Sequence, residues 1–451
     1  MKLTILGGGG FRTPYIYHEL VRGVGAPQVD ELALFDISEE RLHAITAVLS
    51  QLSGPGDDGP HVTSTTDARR AIAGSDFVFA AVRVGGLEDR RCDEHVAQDL
   101  GVLGQETTGP GGIAFAIRTV PAMLEYARMV AELAPDAYFL NFTNPAGIIT
   151  EALQSVLGDR ALGICDTPSS LVRRVSESLG LDQSRVRADY VGLNHLGWLR
   201  GIRYDGQDVL PKLLSDDAKL ASLEEGHVFG TDWLRALGTI PNEYLYYYYY
   251  NREAVRSILE APLTRGDYLA QTQQELFASI RRDPESAARL WLAAVGDRNA
   301  SYMAEARGGE PKRAAADVSE DELFTEGYAG VAVRVMRAIS RNERATMILN
   351  VRNGSTIAGL PSDAVVEVPA MVDANGVQPF ATTPPTLDQL GLMQQVKAVE
   401  RHAIAAAVHG DRTEALKAFA LHPLIDSVDV GKRLLAGYLE QIPELGAVLD
   451  R

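Results

Sequence analysis

Short apolar runs alternate with helical patterns through the first 195 residues. Lys2–Leu6 is an apolar run of strand length, Pro14–Val24 has helical spacing, and Glu31–Phe35 is a second strand that ends at Asp36. Glu39–Leu52 continues with a helical period. Later apolar runs at Phe77–Val82, Tyr138–Leu140 and Leu162–Ile164 each stop at a polar or glycine-rich turn and lead into a helical pattern. Parallel strands need crossover connections, so this alternation predicts a doubly wound parallel sheet with helices on both faces. Beyond residue 196 the rhythm changes. Helical segments at Tyr268–Arg281, Leu323–Arg341, Leu387–His409 and Arg412–Ala420 are interrupted by strand-like pieces such as Ala364–Pro369. The expected organisation is α/β: a sheet domain over residues 1–195, then a mixed, helix-rich α+β domain over residues 196–451 carrying the catalytic or substrate half. Gly308–Glu320 is charged, alanine-rich and weakly patterned, which predicts a mobile loop.

Gly7-Gly8-Gly9-Gly10 lies between the first strand and the first helix. Glycines there let the backbone turn tightly and approach a pyrophosphate, which then rests on the exposed N–H groups of the helix start. Position 12 is Arg, so the strict G-x-G-x-x-G pattern is not met, and a glycine-rich turn with no ligand is the plain alternative. Asp36 shifts the balance. An acid at the end of the second strand can bind the adenosine ribose hydroxyls, and Ile37 and Ser38 offer no arginine for a 2′-phosphate. The first domain therefore reads as a Rossmann-type fold that binds NAD rather than NADP.

Composition narrows the partners. A chain of 451 residues is long for one core and suits two intimately packed domains. Hydrophobic residues make up 46% and charged residues 23%, ordinary for a globular protein, and no run reaches the roughly 18 apolar residues of a membrane span. Met1–Leu6 runs straight into the glycine cluster, unlike a signal or transit peptide. Cys92 and Cys165 are too few for a disulfide framework, which points to the reducing cytoplasm. A net charge of −17 argues against nucleic acid and anionic membrane as partners. A phosphorylated substrate would need a local cluster of arginines to overcome that field.

Candidate chemistry sits at the ends of apolar runs, where open sheets bind ligands. Cys165-Asp166-Thr167-Pro168 follows Leu162–Ile164, and Asn194-His195 follows Tyr190–Leu193. Cys and His on two adjacent strand ends could hold one metal ion and leave positions open for water or substrate, although either alone is more often a packed core residue. Asn141-Phe142-Thr143-Asn144-Pro145 could turn amides towards sugar hydroxyls or simply form a turn. Arg83, Arg90 and Arg91 crowd the segment after Phe77–Val82, and guanidinium forks match phosphate oxygens, though solvated arginines are commoner. Tyr244 opens a tyrosine-rich helix (Tyr246 to Tyr250) whose plain reading is aromatic packing or a subunit surface, and which suggests a homodimer or homotetramer.

Together these segments resemble the NAD-dependent glycoside hydrolases of family 4, and most closely the 6-phospho-β-glucosidases among them. The likeness is carried by Ile5–Gly10, by Gly104-Gln105-Glu106-Thr107-Thr108-Gly109-Pro110-Gly111-Gly112, and by Asn141–Pro145, Cys165–Pro168, Gly192–His195 and Pro241–Leu245. Val351–Gly354 and His422-Pro423-Leu424 belong to it too, so it spans nearly the whole chain. The resemblance implies NAD against Gly7, Gly9, Gly10, Phe11, Arg12, Asp36 and Arg83, and a Mn²⁺-type ion on Cys165 and His195 completed by substrate oxygens. It implies Tyr244 as catalytic base, Asn144 and Asn194 on the sugar, and Arg90 with Arg265 on the 6-phosphate of a phosphorylated disaccharide or aryl glucoside. The implied route is oxidation at C3, loss of the C2 proton, elimination of the aglycone at C1, water addition and re-reduction, with no net redox change. A tyrosine with a pKa near 10 needs a nearby cation to act as base, which the metal and arginines would supply. One departure stands out. β-acting members usually carry Asn at the position of Asp166, whereas α-acting members carry Asp as proposed acid for the leaving group; Gly104–Gly112 and Arg83–Gly86 look closer to the β-acting branch. The rival expectations are a 6-phospho-α-glucosidase, an NAD-dependent 2-hydroxy acid dehydrogenase that would leave Cys165 and Tyr244 without a role, and an NAD-binding regulator without catalysis.

Overall fold

The computed structural model describes residues 1–53, 59–301 and 327–450. The expected loop at 308–320, and the first turn of the helix expected at 323–341, lie outside the described residues. Six strands build the first part of the sheet: β1 Lys2–Leu6, β2 Glu31–Phe35, β3 His61–Thr65, β4 Phe77–Ala80, β5 Tyr138–Asn141 and β6 Ala161–Gly163. All neighbours among them pair in parallel, in the order β3-β2-β1-β4-β5-β6. That is the Rossmann order, whose ligand crevice lies where the strand order reverses beside β1. Strand residues alternate between two cores. Leu3, Ile5, Phe77 and Phe79 enter one, and Leu6, Val78, Ala80 and Phe139 enter the other. Burial on both faces explains why these strands read as continuous apolar runs.

The second part of the sheet is antiparallel. β7 Arg187–Leu193 and β8 Leu196–Tyr204 form a hairpin, with β9 Gln207–Asp208 and β10 Ile240–Pro241 on β8. β11 Ala345–Arg352 and β12 Val365–Asp373, with β13 Gly376–Pro379 on β12, insert between β6 and β7. Cys165 and His195 therefore do not follow adjacent strands, as the local pattern suggested: two strands of the second half separate β6 from β7. Residue 195 lies in the β7–β8 turn, and elements from both sides of it share this one sheet. Both cores are also mixed. Val399, Ala403, Phe419, Tyr438 and Leu445 pack with the Pro110–Leu133 helix residues Ile117, Val120 and Met123.

Each joint between old and new strands is pinned at a glycine. Gly163 pairs with Asn350, Asn350 with Glu367, and Glu367 with Gly192. A Cβ on Gly163 would come within 2.6 Å of the Asn350 Cβ, so only glycine lets β11 dock against β6 there.

The tyrosine run packs within the chain. Tyr246 and Tyr247 are buried, the Tyr248 ring lies against His422, the Tyr249 hydroxyl accepts from the Trp198 indole at 2.9 Å, and Tyr250 donates to the Phe229 carbonyl at 2.6 Å. These contacts match the aromatic-packing reading of the run. Among the described residues, no helix is long and apolar enough to cross a membrane.

Asp93 ties three helices together at the centre of the second core. Its carboxylate accepts both guanidinium arms of Arg118, at 2.8 and 2.6 Å, and its carbonyl accepts the Tyr438 hydroxyl at 2.9 Å. Breaking a buried pair leaves an uncompensated charge. Asp93→Asn is predicted to cost about 3 kcal/mol of stability, read as a lower urea midpoint; an unchanged midpoint would contradict this account of the pair.

Candidate active site

The glycine turn is built for close approach. Gly7 has φ 85°, and a Cβ there would sit 2.6 Å from the Ala81 carbonyl oxygen; one on Gly10 would sit 2.8 Å from the Gly7 oxygen. The Thr13–Arg22 helix follows directly, and its Arg12 N-cap makes no side-chain capping bond. Asp36 organises the other side of the turn. It accepts from the Gly9 N–H at 3.1 Å and the Ser38 N–H at 3.0 Å. Phe11 is buried, its carbonyl accepting from the Trp291 indole at 3.0 Å, and the Arg12 guanidinium lies 4.4 Å over the Phe142 ring. A cradle that any Cβ would fill, on a helix start with an acid beside it, fits a dinucleotide.

Cys165 and Asp166 lie between β6 and the Thr167–Ser178 helix. Cys165 is buried with its sulfur 3.4 Å from the Thr167 hydroxyl; burial, then Glu367 and Asp166, push its pKa well above the ordinary thiol value. Asp166 occupies the N-cap position, but its carboxylate makes no capping bond. His195 sits in the tight β7–β8 turn at φ 62°, a left-handed conformation that costs a non-glycine residue roughly 1–2 kcal/mol. Burial lowers its pKa to about 4, so the imidazole is neutral.

A relay fixes the tautomer of His195. Gln105 Oε1 accepts from the Thr107 and Thr108 N–H groups at 2.7 and 2.6 Å and from the Thr107 hydroxyl at 3.1 Å. With its proton directed there, the Thr107 oxygen accepts from His195 Nδ1 at 3.1 Å. The Nε2 lone pair is then left for a ligand, as where a hydrogen bond on one ring nitrogen of a histidine leaves the other free to bind a metal. The Tyr244 ring stacks flat on His195, with centroids 3.7 Å apart and planes 2° from parallel. Tyr244 is held by the Asn242 side chain, which accepts its N–H at 3.1 Å. Among the described residues no three His, Cys, Asp or Glu side chains converge as a closed metal site. One thiol and one imidazole, with Asp166 and Glu367 near the thiol, are a donor set suited to a borderline divalent ion with positions open to oxygen ligands.

Arginines gather between the turn and Tyr244. Arg90 is buried and donates to Glu94 at 2.9 Å and to Glu106 at 2.6 Å; Arg83 also pairs with Glu106. Burial favours a neutral Glu106, yet Arg90, Arg83, Arg12 and Arg298 hold its carboxyl far below the usual range. Arg298 is pushed down to about 9 by burial and by Arg12, Arg265 and Arg90. Arg265 donates to the Ser301 hydroxyl at 2.6 Å and the Arg298 carbonyl at 3.0 Å. Arg90 also feels the charge of Tyr244. Arg91 points elsewhere, to Asp267 at 2.7 Å and Glu88 at 2.9 Å. Four guanidinium groups thus act on Glu106, with Arg265 beside Arg298, in a chain whose net charge is −17.

The remaining expected residues have definite places. Asn144 is half-buried in the loop after β5. Asn194 donates to Glu367 at 3.2 Å. Glu367, Thr107, Glu106 and Arg298 were not singled out from sequence. Glu367 left a trace, as the lone charge in the run Val365–Asp373 before its terminal Asp373. Two motifs of the resemblance are structural: Asn353 bonds the carbonyls of Ile357, Leu360 and Pro361, and His422 Nδ1 accepts from the Leu424 N–H.

A Rossmann sheet whose nucleotide turn shares an arginine cluster with a phenol stacked on an imidazole defines a nucleotide-dependent enzyme class. The chain belongs to the family 4 glycosyl hydrolases. The family model matches residues 2–181, and the model of the family 4 C-terminal domain matches residues 190–425. A probable 6-phospho-beta-glucosidase of Bacillus subtilis (strain 168) is 32% identical, over 98% of this chain and 96% of the relative. The maltose-6'-phosphate glucosidase MalH of Clostridium acetobutylicum is 28% identical over 97% of both chains. The 6-phospho-beta glucosidase of Thermotoga maritima, solved with manganese, NAD+ and glucose-6-phosphate, superposes with a TM-score of 0.81 at 27% identity, covering 98% of this chain and 99% of that one. A 6-phospho-alpha-glucosidase from gut microorganisms, in complex with NAD and Mn2+, gives a TM-score of 0.80 at 29% identity, covering 97% of each chain. A lactate dehydrogenase at 14% identity and TM-score 0.52 shares the fold alone.

Thr107→Val keeps the shape of the relay and removes its acceptor. Divalent-ion affinity, measured by titration calorimetry, is predicted to fall roughly ten- to a hundredfold; unchanged affinity would show that Thr107 does not orient His195.

Proposed function

We propose that this protein hydrolyses 6-phospho-β-glucosides with bound NAD and a divalent ion such as Mn²⁺. The single observation that carries the reading is Tyr244 stacked on His195 beside the arginine cluster: a phenol, a neutral imidazole and gathered guanidinium groups in one place. The names of the relatives and the ligands of the solved family members support it. NAD supplies a reversible hydride acceptor for C3, and the ion supplies a Lewis acid.

The chain's own residues do the rest. Gly7, Gly9, Gly10, Phe11, Arg12, Asp36 and Arg83 hold the dinucleotide. Cys165 and the fixed Nε2 of His195 hold the ion. Arg265, Arg298 and Arg90 bind the 6-phosphate, whose oxygens match their guanidinium forks. Asn144 and Asn194 orient the sugar hydroxyls. Tyr244 removes the C2 proton, which a C3 ketone acidifies, and Arg90 favours its phenolate form. Elimination then expels the aglycone from C1, water adds a hydroxyl at C1 and a proton at C2, and the hydride returns to C3, leaving no net redox change. Cys92 and Cys165 stay reduced in the cytoplasm, where we place the enzyme.

A second reading rests on Asp166. Its carboxylate, unused as a helix cap, favours protonation of an α-linked leaving group. Matched α- and β-linked p-nitrophenyl glucoside 6-phosphates test both. The β-linked substrate is predicted to release p-nitrophenol faster, only with NAD⁺ and Mn²⁺ both present, and without stoichiometric NADH. Faster α release would transfer the reading to the α anomer, and no release from either would overturn it.

A further inference from the structure

The sheet carries one buried polar row through otherwise apolar surroundings. Gly163, Asn350, Glu367, Gly192 and Gly197 pair in sequence across β6, β11, β12, β7 and β8. The glycines leave room for the polar side chains. A Cβ on Gly197 would lie 2.3 Å from the Tyr190 hydroxyl, so the phenol reaches Glu367 only because that position is bare. Glu367 is 1% exposed and collects the row: Asn194 at 3.2 Å and Asn350 at 3.0 Å donate to one carboxylate oxygen, and the Tyr190 hydroxyl donates to the other at 3.0 Å. The Asn242 amide donates to the Tyr190 oxygen at 3.3 Å, while its own oxygen caps the turn that carries Tyr244.

We infer that Glu367 is the positioning residue of the site, fixing Asn194 directly and Tyr244 through Tyr190 and Asn242. This rests on the reading of Tyr244 as base. Two consequences follow from the donor directions. One N–H of the Asn194 amide goes to Glu367 and fixes the side chain's orientation, leaving its oxygen to accept a sugar hydroxyl. The Tyr244 turn and Asn194 are both anchored to one carboxylate, so base and sugar keep a fixed relation while the arginines hold the phosphate independently.

The test compares full-length wild type, Glu367→Gln, Tyr190→Phe and the double variant, each with NAD⁺ and Mn²⁺, on a 6-phospho-glucoside with hydrogen or deuterium at C2. Glu367→Gln is predicted to lower kcat about a hundredfold, as misplacement of a reacting group by about 1 Å does, with KM changed less than about threefold because the phosphate contacts remain. Tyr190→Phe keeps the fold's ring and should lose about tenfold in kcat. The C2 deuterium isotope effect should rise in both variants, since proton removal becomes slower than other steps; mere loss of folded enzyme lowers kcat without changing that effect. The double variant should be no worse than Glu367→Gln, because both act on one relay. Wild-type isotope effects and kinetics in Tyr190→Phe, or additive losses in the double variant, would overturn the inference even if Glu367→Gln failed to fold. A wild-type enzyme that turns over without exchanging or breaking the C2–H bond would instead overturn the reading of Tyr244.

Discussion

A carboxylate buried within a sheet must be met by donors from every strand around it, and Glu367 imposes that demand here. Unpaired, it would cost several kcal/mol; satisfied by Asn194, Asn350 and Tyr190, it joins β7, β11 and β12 at one point. Burial still raises its pKa to about 7, so the donors offset the desolvation only in part. The glycines at 163, 192 and 197 make sense in that light, since each bare position lets a strand or a ring close on the row. Continuity of the sheet and the placing of the candidate site are therefore two results of one polar interaction.

Charge follows a similar local logic. The molecule as a whole is strongly acidic, yet Arg12, Arg83, Arg90 and Arg298 act together on Glu106, and Arg265 lies beside Arg298. Glu106 stays ionised in spite of burial because of those arginines, and it in turn keeps Arg83 and Arg90 in place. The cluster sits between the nucleotide turn and Tyr244, so a phosphorylated sugar held there would lie within reach of both.

The first half of the fold was legible because its information is local. Lys2–Leu6 and Glu31–Phe35 form strands with the boundaries their apolar runs suggest, and Asp36 at the end of the second accepts from the Gly9 N–H of the glycine turn. Insertion of β11 and β12 between β6 and β7 was not legible. It depends on pairing Gly163 with Asn350 and Glu367 with Gly192, contacts between residues far apart in sequence that no periodicity records. The same distinction holds in the site. Cys165, His195 and Tyr244 stood out through motif resemblance, whereas Arg298 sits on an ordinary helix and gains its meaning only from Arg12, Arg90 and Arg265 around it. The tyrosine run left its reading open for a related reason: an aromatic cluster reads alike whether its partners lie in the same chain or in another.

In the proposed reaction Tyr244 breaks the C2–H bond of a sugar whose C3 has been oxidised. Hydrolysis in D₂O tests this most directly, with the glucose 6-phosphate product examined by NMR for deuterium at C2. A base open to solvent exchange predicts deuterium at C2 of the product. Product that keeps its original C2 hydrogen would contradict the account and point to direct displacement at C1.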